Sequence, residues 1–187
     1  VVNKYNIDWK FIEQFLNSMQ HDIYNTKHNE SSYKEYIAGS AEAVGLMCLR
    51  VFCNNQNDLF NNLENYAKIL GSVFQKVNFI RDMNADYNQL QRVYFPNLDI
   101  NKFNEQEKLK IELDIENEFR LALVGVKKLP AESKKGVFLA YSYYYSLFKK
   151  IKKTPAIQIL HKRIRIPNTL KIITLIKIEI KYRLNLI

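Results

Sequence analysis

Asp82 and Asp86 stand four residues apart in the stretch NFIRDMNADYNQLQRVYFP. On a helix that spacing brings both carboxylates to one face, one turn apart. Two carboxylates so placed suit one hard cation, because Mg²⁺ typically takes one or two carboxylates and completes its shell with water and substrate phosphates. The same face carries Gly71, Gln75 and Asn78. At 100° per residue all five lie within roughly 80° of one another. A solvated helix face is usually rich in Lys and Glu, and none stands among these five. Propensity gives no reason for a glycine in mid-helix, so something is expected to approach the backbone closely at Gly71.

The helix that must carry this face has an ordinary opposite side. Leu59, Leu63, Tyr66, Leu70, Val73, Val77 and Ile80 alternate steps of four and three, which reads as a core stripe. Asp58 suits the positive N-terminal end of that helix. The helix is expected to end near Tyr87, and Pro96 closes an irregular loop.

Upstream, the pattern from Asp8 to about Lys27 predicts a helix with Phe11, Phe15 and Met19 in one core row and Ile12, Leu16 and Ile23 in the next. His21 and His28 have no ligand-spaced partner and read as surface residues; Asp22 has no assigned role. Ser32 and Glu35 read as a capping box, opening a helix to about Cys53. Its small residues at steps of about four leave a groove, read either as tight helix packing or as a pocket wall. Cys48 and Cys53 point in different directions and suit neither a disulfide nor a zinc site; both read as buried hydrophobes in a reducing compartment. Downstream, helices are predicted from about Asn101 to Lys128 and from Lys134 to about Lys153. The first carries Glu112, Asp114, Glu116 and Glu118, which alternate around it and read as solvated. The second is dense in aromatics. Thr169 to Ile187 shows strand-like alternation at Ile176, Ile178 and Ile180, and helix or strand remains open on pattern alone.

Composition bounds the class. The 187 residues suit a single domain over 1–187, and 47% hydrophobic content supplies a sizeable core. Only 5 Gly and 4 Pro favour few, long elements, hence an all-α fold. The net charge is +9. Eleven Lys and Arg from Lys149 onward face Glu179 alone, so that segment carries +10 and the remainder −1. A basic end suits an anionic partner or simply a solvated surface. No apolar run reaches the length of a membrane span, and no signal peptide opens the chain.

The motif N-F-I-R-D-M-N-A-D followed by R-V-Y-F-P resembles the second aspartate-rich motif of the squalene/phytoene synthase family. Tyr36 with SAEAVGLMCLRVF resembles the family's Y-x-x-x-V-A-G-x-V-G segment, in the form of bacteroidete-type phytoene synthases. HKRIRIP resembles an Arg-containing segment near the end of that fold. The resemblance runs from about Asp8 to the C-terminus and departs from the family at Ser40, Glu42 and Gln91, where Val, Gly and Gly are commoner. It implies an isoprenoid-synthase-type helical bundle around a central apolar cavity, and favours helix over strand at the C-terminal end. It implies Mg²⁺, with Mn²⁺ as an alternative, held by Asp82 and Asp86. Gln75, Asn78 and Tyr36 would serve the reacting centre. Arg81, Arg92 and Arg163, with Arg165 a second candidate for the last, would neutralise diphosphate. Tyr94 and Tyr144 would shape the pocket, walled by Ala41, Val44, Gly45 and Gly71.

The implied reaction joins two geranylgeranyl diphosphates head to head into phytoene, without nicotinamide. Alternatives are squalene or dehydrosqualene synthesis from C15 substrates, or a synthase-like assembly factor. The chain has a single D-x-x-x-D, where the family uses two on facing helices. About 90 residues are therefore expected ahead of Val1, the chain being N-terminally incomplete and inactive alone. The expected partner is a prenyl diphosphate, not nucleic acid, and oligomeric state is left open. The expected setting is cytoplasmic, with peripheral membrane contact through the basic end.

Overall fold

The computed structural model describes residues 1–24 and 26–184. The expected passage of the first helix through Asn25, and of the last over 185–187, lies outside the described residues. Within them the chain is all-α: α1 (Trp9–Tyr24), α2 (Glu30–Ile37), α3 (Ala43–Cys53), α4 (Asn57–Leu90), α5 (Glu105–Lys128), α6 (Ala131–Lys152), α7 (Ala156–Ile159) and α8 (Asn168–Arg183). A π-helical turn, Ala38–Glu42, joins α2 to α3 without a break, and a 3₁₀ turn, Ile100–Lys102, precedes α5. The strand-like alternation of Ile176, Ile178 and Ile180 folds as helix, as the resemblance implied.

Local chemistry sets the ends. Asn29 caps α2, its side chain accepting from the Ser32 N–H at 2.9 Å while Ser32 Oγ accepts from the Asn29 N–H at 3.0 Å. The capping box thus lies three residues earlier than Ser32–Glu35, because Asn29 is as good a cap as Ser and starts the helix first. Asn104 caps α5 through the Gln106 and Glu107 N–H groups. Asn54 and Gln91 end α3 and α4 in the left-handed conformation. Gln91 therefore adopts the positive φ that suits the family's glycine, and α4 runs three residues past Tyr87.

At 34 residues, α4 is about 50 Å long and is the axis of the fold. It packs against the π turn, α3, α5 and α6. Its apolar side supplies Leu63, Val73, Val77 and Ile80 to the core, while Leu59, Tyr66 and Leu70 are half-buried. The Gly71 expectation holds, and the approaching group is protein: a methyl there would lie 2.4 Å from the Ala41 carbonyl oxygen. Gly45 mirrors it, with a methyl reaching 2.6 Å from the Ala67 carbonyl oxygen. The small residues therefore serve tight helix packing.

Several expectations are overturned. Leu16, Met19 and Ile23 of α1 are exposed, as are Trp9 and Tyr24, because the helix packs only through the side bearing Phe11 against α2, the π turn and α3. His28 is buried among aromatic rings. Cys53 is buried but Cys48 is exposed. The 24 residues Glu30–Cys53 are long and apolar enough to cross a membrane; here Ile37, Ala43, Leu46 and Leu49 are core residues, and the helix packs against α1 and α4. Glu112 is buried against Lys108 at 2.7 Å. Glu118 accepts from Lys76 at 2.9 Å and from Ser72 Oγ at 3.1 Å. Burial raises the Glu118 carboxyl above its ordinary range while Lys76 pulls it down. The acidic side of α5 is thus partly interior, because α4 presents a buried lysine to it.

Gly71→Ala tests the helix crossing. If helix propensity ruled, the substitution would stabilise by about 1 kcal/mol. The contact with Ala41 predicts the reverse, a loss of about 2–3 kcal/mol from forced separation of the helices, read as a lower urea midpoint.

Candidate functional site

Between the π turn, α3, α4, α5 and α6 lies a cleft of about 590 Å³ with predominantly apolar walls. Ser40, Ala41, Val44 and Gly45 form one side, and Gly71, Phe74 and Gln75 another. The structure therefore brings together five of the expected residues: Ala41, Val44, Gly45, Gly71 and Gln75. Glycine and alanine along the α3–α4 crossing keep the space open, so the close packing and the pocket wall are one feature. Cys48 and Ser40 line it too, and Ser40 Oγ is buried without a hydrogen-bond partner.

From Gln75 the polar face of α4 continues. Asn78, Asp82 and Asp86 lie about 4.5, 10.5 and 16.5 Å further along the axis. Asn78 Oδ1 is buried and unpartnered. Asp82 is gripped twice. Arg81 Nε donates to Oδ1 at 3.0 Å and its Nη2 to Oδ2 at 2.5 Å. Arg163 Nε reaches Oδ1 at 2.6 Å, with Nη2 on Oδ2 at 3.3 Å. The segment after α7 delivers Arg163, tethered where Asn84 Nδ2 donates to the Leu160 carbonyl at 2.5 Å. Arg165 lies apart, its carbonyl accepting from Lys150 at 2.6 Å, so Arg163 is the arginine of HKRIRIP that reaches the aspartates. Tyr144 of α6 stacks on Phe74, ring centroids 4.0 Å apart, and Arg81 is held charged chiefly by Asp82, with the Tyr144 hydroxyl adding to it.

A second cluster gathers past the C-terminal end of α4. Arg92 Nη1 donates to Asp22 Oδ2 at 2.9 Å, and Nη2 to the Asp22 carbonyl. Tyr94 Oη donates to Asp22 Oδ1 at 3.0 Å. The Tyr94 ring stacks on Phe79 at 4.2 Å and meets Tyr36 at 5.3 Å and His28 at 5.6 Å. Burial pushes the Tyr36 hydroxyl up to about 12 and raises Tyr94 as well. Asp22 is thus the residue that sequence reasoning left without a role. It lies 70 and 72 positions from its partners, and no local spacing could reveal the contact. His28 escaped for the same reason, since its partners are rings from α2 and the loop after α4.

Three guanidinium groups face three carboxylates, but unequally. Asp82 holds Arg81 and Arg163, and Asp22 holds Arg92. Among the described residues the Asp86 carboxylate makes no hydrogen bond or ion pair. Its carboxyl is pushed up to about 6, first by burial and then by Asp82, with Arg92 and Arg163 opposing and Asp22 reinforcing the rise. An under-neutralised carboxylate one turn from a second one fits a cation that supplies the missing positive charge. No cluster of three or more His, Cys, Asp or Glu arranged for a metal exists among the described residues. The donor set therefore suits a Mg²⁺ ion shared with a phosphate ligand, and does not form an all-protein cage. Arg81, Arg92 and Arg163 are each engaged by a carboxylate here, and guanidinium can pair with phosphate in the same bidentate way as with carboxylate.

This imbalance has a pH signature. Asp86 ionises near 3.8 in the unfolded chain and near 6 in the folded one. Between those values the folded state holds a proton that the unfolded state has lost, so stability falls as pH rises through that window and stays lowered above it. Asp86→Asn is expected to be more stable than the parent by about 1–2 kcal/mol at about pH 7.5, after discounting for partial solvent exposure. The gap should vanish at about pH 3.5 and narrow when Mg²⁺ is added. Urea midpoints across pH check this, and a pH-independent gap would sink it.

Comparison with known proteins bears on the same residues. A family model described as squalene/phytoene synthase matches residues 1–114. That stretch contains Tyr36, the cleft residues of α3 and α4, both aspartates, Arg92 and Tyr94; Tyr144 and Arg163 lie beyond it. No curated protein matches the chain. The match spans more than half of the chain and covers the aspartate face, the arginine loop and the helix crossing, and on that ground the chain belongs to the squalene/phytoene synthase family.

Proposed function

We propose that this chain carries one half of the diphosphate site of a phytoene synthase. Such an enzyme condenses two geranylgeranyl diphosphates head to head. The observation that supports this is the polar face of α4, which lines an apolar cleft at Gln75 and continues along the helix to an aspartate pair flanked by three arginines. Family membership supplies head-to-head prenyl condensation in general. The C20 choice draws on the likeness of the Tyr36 segment to bacteroidete-type phytoene synthases and on the glycine and alanine walls of the cleft.

In the first half-reaction the C1–O bond of one substrate breaks and diphosphate leaves with the bonding pair. The double bond of the second substrate attacks the allylic cation, a proton is lost, and a cyclopropyl-carbinyl diphosphate results. The second half breaks the remaining C–O bond, rearranges the ring to the new linkage and loses a second proton. The balance is two diphosphates and two protons released, with no reductant. Bound Mg²⁺ at Asp82 and Asp86 would supply the positive charge that stabilises the leaving diphosphate. Arg81, Arg92 and Arg163 add fixed charge around the same oxygens, and stabilisation of this kind is where such a protein can contribute most. Phe74 lines the cleft, backed by the stacked Tyr144 ring, and offers a π face to cationic carbon. The apolar walls exclude water that would otherwise capture the cation. Gln75 and Asn78 sit between cleft and aspartates, and Asn78 Oδ1, buried and unpartnered, is free to accept from substrate or an ordered water.

The family's route uses a second aspartate pair facing this one, and this sequence has a single D-x-x-x-D. The chain alone is accordingly expected to bind a thio-diphosphate analogue of geranylgeranyl diphosphate in a Mg²⁺-dependent way without releasing product. Titration calorimetry with and without Mg²⁺ should show Asp86→Ala weakening that binding roughly tenfold or more. The farnesyl analogue should bind less tightly. Robust phytoene formation by the chain alone would overturn the half-site reading. A preference for the C15 analogue would move the assignment to squalene or dehydrosqualene synthesis. Binding indifferent to Mg²⁺ would favour a non-catalytic assembly role.

A further inference from the structure

We infer that the outward face of α5 docks against the same face of a second copy of this chain, the two helices running antiparallel about Asn117. The inner side of α5 is already committed: Ile115, Phe119, Ala122 and Val126 are buried, and the helix packs against α4 and α6. Its outer side is open along about 36 Å. There Leu113, Leu121 and Val124 fall within roughly 80° of one another on helical geometry, with Leu109 at their edge. All four are between 41% and 52% exposed. A helix seated by one face and open to water on the other normally carries Lys and Glu outward. Asn117 stands in the middle of this stripe, exposed, and accepts from Arg120 Nη2 at 2.8 Å. A polar side chain at the centre of an apolar seam fixes the register in which two helices meet.

The charges along α5 say what covers it. Outside the core its N-terminal half carries Glu105, Glu107, Asp114 and Glu116 against Lys110. Its C-terminal half carries Arg120, Lys127 and Lys128, and the acid of that half, Glu118, is turned inward onto Lys76 at 2.9 Å. Arg120 and Lys127 make no ion pair among the described residues. The Glu105 side chain is 65% exposed, and its lysine neighbour, Lys108 at 3.8 Å, lies closer to Glu112 at 2.7 Å. A second copy laid antiparallel matches the two halves. About Asn117, Leu109 comes level with the second copy's Val124, Glu105 with its Lys127 and Glu107 with its Lys128, each to within about one helical turn. Two-fold symmetry makes every such contact twice. A parallel copy would set acid on acid and base on base. An anionic bilayer would be repelled by the acidic half, and a peptide of either charge would match only one half. The cleft is lined from the buried side of α5, by Ala122, Gly125 and Val126. The surface therefore does not depend on the reaction proposed above, and its association is read without substrate.

The test is sedimentation velocity of the full chain, without ligand, over about 1 to 100 µM. One helix seam is a small interface, so a monomer–dimer equilibrium is expected with a dissociation constant on the order of 10 µM. The double variant Leu113→Asp, Leu121→Asp should keep its helicity by circular dichroism and dimerise roughly tenfold more weakly or worse. The charge variants Lys127→Glu, Lys128→Glu and Glu105→Lys, Glu107→Lys should each lose self-association when alone. An equimolar mixture of the two should form a heterodimer, because each then supplies the charge that the other lacks. A chain that stays monomeric over the whole range overturns the proposal. So does a dimer untouched by the leucine variant, or a mixture of the charge variants that stays monomeric.

Discussion

The contact on which the rest depends is the crossing of α4 with the π turn and α3, where Gly71 meets Ala41 and Gly45 meets Ala67 backbone to backbone. Side chains at those points would hold the helices apart. Their absence lets the apolar side of α4 seat in the core while its other side walls the cleft. The π turn belongs to the same constraint. A single wide turn adds a residue to the helical repeat, and such insertions are common at functional sites. Here it carries Ser40, Ala41 and Glu42 across the face of α4 without breaking the helix.

Above that crossing, electrostatics rather than packing decides the arrangement. Buried charge is tolerated when it is paired, and the structure pairs Lys76 with Asp114 and Glu118, Lys108 with Glu112, and Arg92 with Asp22. Asp86 stands outside this rule. Its carboxylate lies close enough to Asp82, Asp22, Arg92 and Arg163 to feel all four, yet contacts none of them. A protein under selection for stability alone has no use for such a group. It stands one turn from Asp82, on the same face of α4 as Gln75, which lines the apolar cleft.

What the sequence disclosed and what it hid divide by range. Helical period placed α4 and the core residues of its stripe, because period is a local property. The spacing of Asp82 and Asp86 was equally local. The charge pairs between α4 and α5 were misread because Lys76 lies 38 positions from Asp114, and no spacing within one helix marks that contact. The outer side of α1 was assigned to the core because its apolar rows look the same whether covered or not. Asp22 drew no attention, being one carboxylate without a partner in its own turn. Arg163 over Arg165 came from motif resemblance, and the physical basis appears only when the loop folds back along α4.

The left-handed backbone at Gln91 costs about 1 kcal/mol for a residue with a side chain. The turn it makes is closed by the Arg92 N–H donating to the Asp86 carbonyl at 2.9 Å. The strain therefore sits on the peptide between the two charged clusters, yet the Gln91 side chain is exposed and serves neither. In evolutionary terms this is a reserve. Glycine or asparagine there would relieve strain without altering any group at the aspartates, leaving room for costlier changes elsewhere.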